Sequence, residues 1–179
     1  FHTFLFLPLY VKGYLMESTI CAQCRLPKAP YQCECCQSSI CKNCLQTLKK
    51  DSFAFLGNIP KDLSFRNYCN SCYDEKVSPA LFEYQNNLAK ARNVNVFFKT
   101  QSEETRLMRR AEKPLKVSDC KDKNETLLRL AFLAAQANFN TLIDVVLTAE
   151  KVRMQAYQTT KWSGSGVPLN YDEAKLNRR

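Results

Sequence analysis

"CECCQSSICKNC", residues 33–44, places five cysteines in twelve positions with no Gly, Pro or His among them. Thiols this dense serve a disulfide knot, a redox centre or a metal site, and the spacing decides between these. Along the chain they belong to four C-x-x-C pairs, Cys21/Cys24, Cys33/Cys36, Cys41/Cys44 and Cys69/Cys72, separated by eight, four and twenty-four residues. A two-residue spacer forms a tight knuckle whose sulfurs point to one side, so one pair supplies half of a tetrahedral zinc shell. Four pairs therefore predict two structural Zn2+ ions per chain. A disulfide cannot easily join Cys21 to Cys24, and a thioredoxin-like centre needs a single pair at a strand-to-helix turn. Iron–sulfur clusters also accept cysteines, but their runs are spaced differently. Cys35 lies inside the second knuckle, where chelate geometry is poor, and is read as a spare thiol.

Only four residues separate the second and third pairs, which disfavours two sequential sites with independent cores. A cross-brace is expected instead. Cys21, Cys24, Cys41 and Cys44 would hold one ion, and Cys33, Cys36, Cys69 and Cys72 the other. Interleaving of this kind makes one unit with little hydrophobic core, as small domains require when burial alone barely offsets chain entropy below about 70 residues.

Working outward, 179 residues suffice for a small domain joined to a medium one. Nine of the ten cysteines fall between Cys21 and Cys72, so the two halves must be stabilised differently. The first fifteen residues, "FHTFLFLPLYVKGYL", are apolar but lack a charged n-region and a small-x-small cleavage site. They are also short for a bilayer span. Residues 1–15 are read as a leader outside the native start, which is placed at Met16. Without a secretion signal, the reading is a cytoplasmic protein in a reducing compartment. The formal charge of +9 divides into +1 over residues 16–75, +7 over residues 76–179, and Lys12. Two zinc tetrathiolate groups would bring the first segment to about −3 and the chain to about +5. The basic second half can attract nucleic acid or acidic partners, although its signs are interspersed.

The cysteine order, with "CQSSICKNC" as its centre and Ile40 just before a ligand position, resembles the FYVE-type zinc finger within the wider FYVE/PHD cross-brace superfamily. The likeness covers about residues 19–75 and implies a two-zinc fold that works by binding. A RING-like ubiquitin-ligase module is less similar, since it has two or three residues where this chain has four. PHD fingers carry His where Cys41 stands. Phosphoinositide-binding FYVE domains have a basic, His-containing run before the third cysteine. Here "KAPYQCEC" offers Gln32 and Glu34 instead, too little positive charge for a phosphate. Methyl-lysine reading needs an aromatic cage, and Tyr31 and Tyr68 are read as packing residues. The apolar residues of "LQTLKKDSFAFLGNIPKDLSFRNY" (45–68) are expected to form a mini-core under the zinc sites, or a patch for a protein partner.

The second half alternates helix and strand signals. Residues 78–93 read as a connecting helix, with Ser78 as cap, Pro79 in the first turn, and Leu81, Tyr84, Leu88 and Ala91 on one face. "NVNVFFKT" alternates as a strand, and residues 101–113 are left between short helix and exposed loop. Residues 122–140 are the clearest helix, with Asp122 and Glu125 in capping-box positions. "TLIDVVLTA" (141–149) and "KVRMQAYQTTKW" (151–162) read as strands, and the glycines of "SGSGVPLN" as a bulge or turn. Strand, helix, strand, strand makes a small α+β domain. "AAQANFNTLIDVVL" and the later "SGSGV" are similar to YbjQ-like small α/β domains over residues 93–170, although the family's "GAN" is "QAN" here. That likeness implies a homo-oligomer through the C-terminal domain.

Catalytic chemistry has little to work with. The single His is His2, the four glycines are scattered, and no phosphate loop is present. Cys120 is read as a loop or core thiol, and Asp119, Asp122 and Glu125 as helix-start charges. The expected organisation is a leader (1–15), a zinc finger (16–76), a linker helix (77–92), an α+β domain (93–170) and a tail (171–179). The expected function is a non-enzymatic protein-interaction or scaffold module, with nucleic-acid binding through the basic half as the alternative.

Overall fold

The computed structural model describes residues 19–154 and 157–172. The expected leader, the start at Met16 and all but the first two residues of the expected tail lie outside that range. The chain divides into two compact units. One comprises the residues up to Lys50 together with Pro60–Val77, and the other comprises Asp51–Ile59 together with the chain from Ser78 onward.

The first unit is built from very short elements. β1 (Tyr31–Gln32) pairs antiparallel with β2 (Ser39–Ile40), and β3 (Leu45–Thr47) pairs antiparallel with β4 (Asn67–Cys69). β4 leads into α1 (Asn70–Cys72) and then a π-helical turn, Tyr73–Val77. Two- and three-residue strands cannot hold a sheet by themselves. The interior they surround is mostly sulfur: Cys21, Cys33, Cys41, Cys44 and Cys69 cluster with only Ala29 and Ile40 as other buried members. Tyr68 is fully buried beside this cluster's strands, and its hydroxyl donates to the Asp62 carbonyl at 2.8 Å.

The second unit carries a conventional hydrophobic core. Its helices are α2 (Ser78–Ala91) and α3 (Lys123–Gln136). Its strands are β5 (Asn95–Phe98), β6 (Leu115–Cys120), β7 (Thr141–Met154) and β8 (Tyr157–Leu169), in the sheet order β5-β7-β8-β6. β5 runs parallel to β7, while β8 is antiparallel to both β7 and β6. α3 packs on the sheet, with Thr126 and Leu130 over Gly164 of β8, and α2 packs on α3, with Tyr84 against Phe132. At Gly164 an added Cβ would sit 2.8 Å from both Leu147 Cδ2 and Thr126 Cγ2. Asp122 caps α3, accepting from the Glu125 N–H at 2.8 Å, while the Glu125 carboxylate accepts from the Lys121 N–H.

Several elements differ from the sequence expectation, each for a physical reason. The glycines of "SGSGVPLN" form no turn; they lie within β8, opposite bulges in β6 and β7, and Gly164 serves the close approach of α3. β7 continues through residue 154, five residues beyond its expected end. Beyond Trp162 the ladder pairs β7 only with β8, so Glu150–Met154 and Tyr157–Lys161 form an antiparallel arm outside the four-stranded sheet. β6 was not expected, because two of its residues, Ser118 and Asp119, interrupt the alternation at a bulge. The segment 51–59, expected under the zinc sites, belongs to the second unit. There Phe53 packs edge-on against Tyr84 with centroids 5.5 Å apart, and Phe55 against Phe132 at 5.9 Å. The first unit's buried cluster is mostly sulfur, whereas the α2–α3 surface offers these two aromatic rings other rings to pack on. Likewise α2, expected as a linker, buries Ala91 and packs Tyr84 and Leu88 into the core.

Two β-bulges share one chemistry. Asp119 in β6 and Asp144 in β7 both adopt the left-handed region, with φ of 58° and 52°, which Asp tolerates better than most residues. Each carboxylate meets a cation: Asp119 accepts from Lys161, and Asp144 binds Arg110 through two hydrogen bonds of 2.5 and 3.1 Å. Arg110 also donates to the Thr105 and Met108 carbonyls, fastening residues 102–110 across the strand. Among the described residues, no helix is long and apolar enough to cross a membrane.

Candidate metal centre

The eight paired cysteines use two backbone solutions. Cys21–Arg25 and Cys33–Gln37 are knuckles: the Arg25 N–H donates to the Cys21 carbonyl at 2.9 Å, and the Gln37 N–H to the Cys33 carbonyl at 2.8 Å. Each turn is closed by a residue in the left-handed region, Arg25 and Gln37 both at φ 62°. Glycine is the ordinary occupant of such a position, and its absence leaves these turns without a sequence signature. The other two pairs start helical turns. Cys41 precedes the 3-10 turn Lys42–Cys44, and Cys69 precedes α1, each with an extended backbone at the N-cap position.

Folding brings one knuckle to one helical turn, twice. The sulfurs of Cys21, Cys24, Cys41 and Cys44 lie within 4.8 Å of one another, and so do those of Cys33, Cys36, Cys69 and Cys72. The first pair thus joins the third and the second joins the fourth. Cys24 and Cys41 sulfurs stand 3.6 Å apart, and those of Cys36 and Cys69 stand 3.8 Å apart. A tetrahedron with metal–sulfur bonds of about 2.3 Å has edges of about 3.8 Å. The donor sets and dimensions therefore suit a single tetrahedral cation in each group, and each can hold one. All ten cysteines are free thiols.

The electrostatics of these groups are those of thiols crowded without a counter-charge. The Cys21 thiol is lowered to about 6 by the N–H groups of Cys24 and Cys41, the latter donating to its sulfur at 3.4 Å. The Ser38 hydroxyl lowers Cys36 to about 6 in the same way. In the same quartets, burial pushes Cys44 up to about 12 and raises Cys72 and Cys69, with neighbouring thiols adding to the effect on Cys44 and Cys72. One thiolate in each group suppresses the ionisation of others, and a divalent ion removes that conflict. Cys24 and Cys36 reach the surface while Cys21 and Cys33 are buried, so each group is open on one side to solvent.

The remaining residues singled out in the sequence take structural places. Cys35 belongs to neither quartet; it packs against the sulfur cluster near the Lys76 ammonium, which also binds Asp62 at 3.0 Å. Cys120 is a buried core thiol that donates to the Ser118 carbonyl at 3.6 Å. Asp122 and Glu125 serve the start of α3, whereas Asp119 belongs to the β6 bulge. No protein-family model, no curated protein and no solved structure matches this chain.

Proposed function

We propose that the first unit is a structural two-zinc finger of cross-brace type, similar to the FYVE/PHD superfamily, and that it acts as a protein-interaction module. The carrying observation is the interleaving of the two four-cysteine groups, first pair with third and second with fourth. Zinc is the ion of choice because all-thiolate tetrahedral sites suit it, and a several-iron cluster would hold its cysteine sulfurs further apart. Four protein ligands close each shell, leaving no open position for substrate, so the ions replace a core and do not catalyse. A reducing, cytoplasmic setting keeps such thiols available.

The surface supports binding as the output. Ile20 and Leu26, 59% and 58% exposed, flank the first knuckle, and Tyr31 is also exposed. Large apolar side chains held out by a metal-clasped turn, with Arg25 and Lys28 exposed beside them, suit a protein partner with an apolar and acidic face.

Elemental analysis with native mass spectrometry tests this reading, with two zincs per chain expected, and the same spectrum gives the number of copies. Cys69→Ser is expected to lose zinc and unfold the first unit, while Cys35→Ser keeps both ions. Equal metal loss from the two substitutions refutes the ligand assignment. Ile20→Glu with Leu26→Glu, in a chain still carrying two zincs, is expected to abolish partner association; an unchanged set of co-purifying proteins removes this surface from the proposal.

A further inference from the structure

The second unit has a hollow of about 630 Å3 open to the surface. Its walls include Phe98 at the end of β5, Val145 and Leu147 of β7, and Trp162 of β8, with Lys99 and Lys123 at its mouth. The β7 bulge breaks strict alternation there, so consecutive residues of one strand border the same space. Lys123 lies over the Phe98 ring at 5.6 Å, a position that holds the ammonium at the edge of the apolar wall.

Neither lysine belongs to an ion pair among the described residues. The nearby carboxylates have other hydrogen-bond partners: Asp144 binds Arg110 and feels Lys99 only at longer range, Asp122 accepts from the Glu125 N–H, and Glu125 binds Arg129 and the Lys121 N–H. Two cations therefore stand at the mouth of an aromatic and aliphatic hollow whose size falls within the usual range for small ligands, about 300–1,000 Å3. We infer that this cavity binds a small amphipathic anion, a planar or branched apolar body carrying one acid group, with the body against Trp162 and the acid between Lys99 and Lys123. Water does not serve both needs: the apolar walls gain nothing from it, and the ammonium groups already have it from bulk. A neutral apolar molecule would leave the charges unused.

Trp162 is the only tryptophan of the chain and lines this hollow, so its emission responds to a molecule bound there. The full-length, metal-loaded protein is titrated with 8-anilinonaphthalene-1-sulfonate, an apolar ring system bearing one sulfonate, while Trp162 emission is followed. Saturable quenching at one probe per chain is expected, weakened about tenfold in Lys99→Gln with Lys123→Gln, the scale of a charge-assisted contact. Lys90→Gln with Arg92→Gln, two exposed cations away from this hollow, leaves it unchanged. Val146→Glu, which places a carboxylate on an exposed part of the wall, abolishes binding without touching the lysines. Circular dichroism of each variant separates lost binding from lost fold. Absence of saturable quenching, equal quenching by uncharged N-phenyl-1-naphthylamine, or an equal response in the Lys99/Lys123 and Lys90/Arg92 variants overturns the inference.

Discussion

At the scale of single residues, the two knuckles depend on side chains that tolerate an awkward backbone. Arg25 and Gln37 hold φ near 62°, where a Cβ costs about 1–2 kcal/mol. Replacing Arg25 by Gly relieves that strain but adds freedom to the unfolded chain, so the stability of the metal-loaded first unit is expected to stay level or rise by up to about 1 kcal/mol. Ala22→Gly, at ordinary φ in the same turn, is expected to lose stability; denaturant titration compares the two. Asp144 carries the second residue-scale argument. Arg110 holds its carboxyl below the ordinary carboxylate range, so the ionised form is favoured in the folded state. That contribution is present above about pH 4 and is lost as pH falls through the lowered value. Asp144→Asn keeps the left-handed backbone and removes only the charge. The variant is expected to be less stable at neutral pH by about 1 kcal/mol, with the difference closing in acid, as followed by Trp162 fluorescence.

At the scale of elements, close approach between α3 and β8 is the tightest constraint in the second unit. Gly164→Val would place carbon atoms inside contact distance of Thr126 and Leu147. Overpacking of this kind costs about 1–3 kcal/mol, and a lowered melting temperature is the expected reading. Gly57→Ala serves as the control, since nothing lies within 4 Å of its Cβ position. The elements also show what was legible beforehand. α2 and α3 were readable because each carries a periodic apolar face, and α3 a cap, over fourteen residues. The pairing of cysteines was readable because four close C-x-x-C spacings leave few workable combinations. β6 was not, because its bulge at Asp119 breaks the period that identifies a strand. The knuckle turns were hidden for the opposite reason: their geometry is regular, but Arg and Gln stand where Gly would announce it. The cavity beside Trp162 draws on β5, α3, β7 and β8, and no local pattern foretells such convergence.

At the scale of the whole molecule, two units of unlike glue share one chain. The first is clustered around sulfur, and the second around Leu130, Phe132, Leu142 and their neighbours. A strong chelator is therefore expected to unfold the first unit while the second keeps its structure, because metal binding is folding free energy only where the ligands are. A small change in far-ultraviolet circular dichroism with unchanged Trp162 emission would show this, since the second unit carries the long helices and the four-stranded sheet; loss of both signals together would show one cooperative system. The hairpin arm of the second unit behaves differently again. Glu150–Met154 and Tyr157–Lys161 are tied to each other by a ladder, and among the described residues no third strand lies beside either. Among the described residues, both margins of that ribbon are therefore edges of the kind that can pair with another extended chain, and the exposed charges Glu150, Lys151 and Arg153 are of the kind that blunts such an edge. Neutralising those charges for the sake of tidier crystals would invite polymerisation.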